Sequence, residues 1–174
     1  MEPETILALR CATALDLRLQ ETLDEPFRLD RGRLYGCTIA DPDDEPRFTF
    51  LGDHRDIYAL IGGSVGALAR QFDVAVAAVT GWAAPHDEGP DGSTTPPSRD
   101  PRRYRVRVCC AVTDGTGAAV MRADHNPGEA VEMPGISGGA LPTAMVGMWA
   151  GLRASEAMPR RRASRLEARH RRPA

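Results

Sequence analysis

Gly62-Gly63-Ser64-Val65-Gly66 matches G-x-S-x-G, the pattern of a nucleophile elbow, and is the segment whose residue types most directly suggest a reaction. That chemistry needs Ser64 raised on a strained strand-to-helix turn, a histidine to take its proton, and an acid behind the histidine. Asp114 and His125 occur later in a usable order, so Ser64 as nucleophile, His125 as base and Asp114 as orienting acid make up a serine-hydrolase reading. The surrounding pattern favours another use. Ile57, Leu60, Ile61, Val65, Leu68 and Phe72 recur at three- and four-residue spacing straight through the motif, which predicts one continuous amphipathic helix. An elbow would leave only Gly66 to Gln71 for the helix that must follow it, under two turns. Inside a helix each glycine costs about 1 kcal/mol relative to alanine. Gly62, Gly63 and Gly66 therefore imply a neighbouring element packed close to the backbone.

The other reactive groups are scattered. His86-Asp87-Glu88 and Asp124-His125 pair histidine with acids, but neither supplies the three or four converging ligands of an ordered metal site, so no metal is expected. Asp53 is placed to cap the predicted helix and His54 follows it, the start of an acid–histidine pair at a positive helix end. Gly135-Ile-Ser-Gly-Gly-Ala140 could offer backbone N–H groups to a phosphate, but it lacks the lysine and preceding strand of a phosphate loop. All 22 basic side chains are Arg and none is Lys, which excludes P-loop and Schiff-base chemistry. The same bias, with Asn126 the sole asparagine, is expected of a GC-rich bacterial source. No cofactor is implied. Cys109 and Cys110 are sequence neighbours whose side chains would point to opposite strand faces as two inert thiols.

Charge divides the chain. Residues 159–174 hold seven Arg and one Glu, leaving 15 Arg and 23 acids on residues 1–158, so a formal +6 arm follows a −8 body. The arm, including Arg160, Arg161 and Arg162, is expected to be disordered and suited to an acidic partner protein or nucleic acid. Arg103, Arg105 and Arg107 form a second basic row on one strand face, read as a solvated or acid-paired outer face with an anion-binding alternative. Leu166 alone gives the arm no apolar stripe for a membrane. The 13-residue apolar run Ile57 to Ala69 is too short to span a bilayer. With free, unpaired Cys spacing and no basic leader, the expected location is cytoplasmic.

These groups are positioned by elements legible at coarse grain. At 174 residues with 42% hydrophobic and 26% charged side chains, residues 1–158 are expected to fold as a single α+β domain. Residues 5–23 alternate apolar and polar side chains, favouring a strand over the helix that their Ala and Leu content would support. Strands follow at Phe27 to Ile39, Arg47 to Leu51, Val74 to Trp82, Tyr104 to Val112 and Ala118 to Arg122. The last two are joined by the Asp114-Gly115-Thr116-Gly117 hairpin turn. Residues 84–102, with five prolines, read as a mobile loop, and 124–139 as a second loop. Leu141, Met145, Met148, Trp149 and Leu152 mark a final helix. The resulting class is α+β, an antiparallel sheet of five or six strands with two or three helices packed on it. With 5–23 helical, the element order resembles Roadblock/LC7-type modules, which implies a dimeric scaffold without a catalytic centre. The leading expectation is a non-catalytic binding, regulatory or scaffold module, self-associating through an edge strand or the glycine-bearing helix, with a nucleic-acid accessory role as a further alternative.

Overall fold

Residues 5–23 form a helix and not a strand. In the computed structural model, α1 spans Pro3–Thr22, and its buried side chains Thr5, Ala8, Cys11, Ala12, Leu15, Asp16 and Leu19 follow helical spacing. The alternation that favours a strand arises because leucines also lie on the helix's outer side, where Leu17 is exposed. Pro3 sits at the first helical positions, where its missing N–H costs nothing. The structure describes residues 1–41, 44–85, 95–114, 116–135 and 139–157, with backbone alone at residue 70 and at 152–157.

Six strands make one antiparallel sheet: β1 Gly32–Thr38, β2 Arg47–His54, β3 Val74–Ala83, β4 Tyr104–Thr113, β5 Thr116–Ala123 and β6 Asn126–Pro134, in the order β2-β1-β3-β4-β5-β6. The fold is thus α+β, as the composition and turn pattern imply, with four helices among the described residues in place of the two or three expected, of which α2 and α3 are short. Thr113 pairs with Thr116 across the expected β4–β5 hairpin. β6 is a correction, since 124–139 reads as loop. Pro127 and Pro134 lie near its two ends, and the strand is at the sheet's edge, where an unpaired outward position tolerates proline. This extra strand also departs from the Roadblock-like order.

Helices cover both faces of the sheet. On one face α1 packs against Tyr35, Cys37, Val74, Val76, Ala78, Cys109, Ala111 and Val120. On the other, α4 (Ala140–Ala157) brings Leu141, Met145 and Trp149 against Leu34, Ala75, Ala77, Cys110 and Val112. The central strands are therefore apolar on both sides, and alternation along β4 separates two cores instead of core from solvent.

The predicted continuous helix after Asp53 is broken. α2 spans Ile57–Gly62 and α3 Ser64–Leu68, with a 3-10 turn at Ala69–Gln71 leading to β3. Gly63, extended at φ −94° and ψ −168°, separates the two. α3 folds back so closely that a Cβ on Gly66 would lie 2.0 Å from the Ile61 carbonyl oxygen, which explains that glycine. Asp53 does not cap this segment: it lies within β2 and accepts from Arg31 at 3.2 Å, while Asp56 accepts the Tyr58 N–H at 3.0 Å as the N-cap. Of 84–102, residues 95–102 contain a 3-10 turn at Pro97–Arg99, and residues 86–94 lie outside the described residues. No helix among the described residues is long and apolar enough to cross a membrane.

Candidate functional site

The residues of the hydrolase reading do not converge. Asp114 follows the last residue of β4. His125 stands edge-on to Tyr104, the first residue of β4, with ring centroids 4.4 Å apart. A ten-residue strand, about 30 Å long, separates them. Ser64 is exposed at the start of α3, which packs on β2. β2 stands four strand spacings from β5, about 19 Å. His54 Nδ1 is engaged by the Asp56 backbone, 3.0 Å from its N–H. Among the described residues no group of three or more His, Cys, Asp or Glu is placed to hold a metal ion. His86, Asp87 and Glu88 lie outside the described residues, as do Arg160, Arg161 and Arg162 of the basic arm.

The basic row on β4 divides in two. Arg103 and Arg105 lie over the Trp82 ring, 4.5 and 4.1 Å from its centroid, where cation–π attraction holds them at the rim of the sheet. Arg102 beside them is taken up by Asp100, whose carboxyl is held below the usual carboxylate range by hydrogen bonds from the Arg102 guanidinium and N–H.

Arg107 corrects the reading of a solvated outer face: it is fully buried. α1 lies over this half of β4, and Asp16, also 0% exposed, meets Arg107 through Oδ1 at 2.6 Å and Arg122 through Oδ2 at 2.7 Å. The remaining donors of Arg107 reach the carbonyls of Asp16 and Pro26 and the Gln20 amide oxygen. Arg122 reaches the Pro127 carbonyl at 2.6 Å. Two cations and one anion share the interior, so the surplus charge rests on these neutral acceptors. The cluster ties α1, the following loop, β4, β5 and β6 together, and its partners are all protein groups. Had 5–23 been read at helical period, Asp16, one turn from Ala12 and Leu19 on the apolar stripe, would have signalled a buried acid needing a cation.

The surface with the most unspent binding capacity is the β2 edge. Its outer side has no strand beside it among the described residues. Phe48 and Phe50 project on the α1 side and meet Tyr35 edge-to-face at centroid distances of 6.4 and 5.6 Å. Phe50 is nevertheless 54% exposed. No proline interrupts Arg47 to His54, whereas the opposite edge, β6, carries two prolines with Glu129 and Glu132, residues that discourage strand pairing. Just before β2, Glu45 and Pro46 border a groove of about 400 Å³ against Ile6, Leu9, Thr13 and Leu17 of α1, which Arg10 and Glu132 of β6 also line. Sequence reading found β2 but not its edge position, which depends on β3 pairing with β1 from the other side. Comparison of the chain with protein-family models, curated proteins and solved structures finds no match.

Proposed function

We propose that this chain is a non-catalytic binding or scaffold module that self-associates through strand β2. The single observation carrying this reading is the β2 edge, which has no strand beside it among the described residues and whose Phe50 stays half exposed inside an aromatic cluster. The proposed occupant is a second copy of the same strand. Antiparallel pairing about Thr49 on a two-fold axis sets Phe48 opposite Phe50 of the other copy, gathering four rings on the α1 side. Backbone hydrogen bonds supply affinity, and the rings fix register.

Sedimentation velocity over about a hundredfold range of concentration tests the reading. The full chain is expected to sediment as a dimer, and Phe50→Asp to weaken association at least about 30-fold, as loss of a central aromatic anchor does. Phe50→Asp should leave far-UV circular dichroism unchanged, and Phe48→Asp should weaken association in the same way. A wild-type chain that stays monomeric throughout, or a dimer indifferent to both substitutions, overturns the reading.

The basic arm supplies a second contact in this proposal, toward an acidic partner. Deleting residues 159–174 removes seven Arg and one Glu. Retention on immobilised heparin should then fall, together with most of its salt dependence. Equal retention of the truncated chain would remove the arm from the proposal.

A further inference from the structure

Cys11, on the buried face of α1, and Cys37, on β1, bring their sulfur atoms to 3.5 Å in a core where both residues are 0% exposed. They are separated by 26 positions in the chain. We infer that Cys11 and Cys37 are a redox pair that closes to a disulfide under peroxide and clamps α1 to the sheet. Closing the gap to the bond length of about 2.05 Å asks for rotation of side chains already in contact.

The surroundings distinguish this pair from the other two thiols. The two thiols share an S–H···S hydrogen bond in which either can donate; with Cys11 as donor the bond lowers the pKa of Cys37 and raises that of Cys11, and Cys37 is the attacking thiolate of this proposal. Burial pushes Cys110 up to about 12 and Cys109 higher still, and these adjacent residues face opposite layers of the molecule. Sequence neighbours of both cysteines line a cavity. Its volume is about 610 Å³, and its lining includes Leu7, Arg10, Ile39, Phe72 and Asp73. The charges of Arg10 and Asp73 act on both thiols. Neither sulfur lines that cavity, so oxidation in this proposal proceeds through local opening of α1.

Hydrogen peroxide is the oxidant. The Cys37 thiolate attacks one peroxide oxygen, the O–O bond breaks, and the departing hydroxide takes up the proton Cys37 released, giving water and a sulfenic acid. The Cys11 sulfur then attacks the Cys37 sulfur, the S–O bond breaks, and hydroxide leaves with the Cys11 proton as a second water. Two thiols lose two electrons and two hydrogens, and one peroxide becomes two waters.

The test treats the folded full-length chain with hydrogen peroxide and reads intact mass and a non-reducing peptide map. Expected are a loss of about 2 Da, one Cys11–Cys37 cross-linked peptide, two alkylatable thiols after unfolding, and reversal by dithiothreitol. Tm should rise by about 5 °C, because the bond closes a loop in the unfolded chain. Chain unfolded in urea before oxidation should give mixed pairings. Cys11→Ser should gain oxygen atoms in place of the cross-link. If this variant fails to fold, the wild-type peptide map decides alone. Four free thiols after treatment, a different pairing, or the same mixture from folded and unfolded chain would overturn the inference.

Discussion

Asp16→Ala is expected to lower stability by about 3–5 kcal/mol, the cost of leaving buried charge without its counter-ion. In this case two guanidiniums lose it together, since Arg107 and Arg122 each bond a separate oxygen of the same carboxylate. For a chain of this size the loss corresponds to a Tm lower by about 10 °C or more. Urea denaturation checks it: the midpoint should fall with little change in slope. Asp16→Asn keeps one acceptor and should fall between Ala and wild type. The triple replacement Asp16→Leu, Arg107→Met, Arg122→Leu should recover most of the loss, because an apolar cluster of similar volume needs no counter-ion. Asp16→Ala within about 1 kcal/mol of wild type would show that water or a shifted α1 already satisfies the arginines.

Gly36→Val is the second large effect, expected at about 2–4 kcal/mol. Gly36 is buried on β1, the neighbour of the edge strand, and the Phe72 ring lies flat over its backbone. A Cβ built there would stand 2.3 Å from Phe72 ring carbons, far inside contact distance. Either the ring leaves its place, losing its burial, or β1 shifts against β2 and β3. The position needs its small size and not an unusual backbone, since among the described residues the positive-φ glycines are Gly135 and Gly139. A double-mutant cycle separates the two costs. Gly36→Val in a Phe72→Ala background should be at least about 1 kcal/mol less damaging than in wild type, and strict additivity would sink this account of the glycine.

Both predictions rest on features that the linear pattern conveyed unevenly. The class of fold was legible. Period-two segments, the Asp114-Gly115 turn and the apolar stripe from Leu141 to Trp149 each reflect local geometry, and local geometry is what periodicity reports. Five of the six strands were visible for that reason. β6 was not, because Pro127, Gly128 and Pro134 break a propensity pattern and only an edge position makes them acceptable.

The chemistry was less legible than the architecture. The G-x-S-x-G run carried no information about where a histidine would lie, and the folded sheet sets His125 and Asp114 at opposite ends of β4. The arginine row looked uniform in sequence. Its members then met different fates, Arg103 and Arg105 against Trp82 and Arg107 beneath α1, because what covers a strand is set by an element far away in the chain.

What the sequence determined by itself was therefore what short-range physics determines: five of the strands, the last helix, the hairpin, the charge division between body and arm, and the absence of lysine chemistry, whereas the period of α1 and the break after Gly62 were settled by packing. Tertiary structure alone decided which thiols touch, which arginine is buried, and which strand is left at the edge. Each of these is a relation between residues distant in sequence, created when the entropy of closing long loops is repaid by burial. A pattern read along one segment contains no term for such a partner.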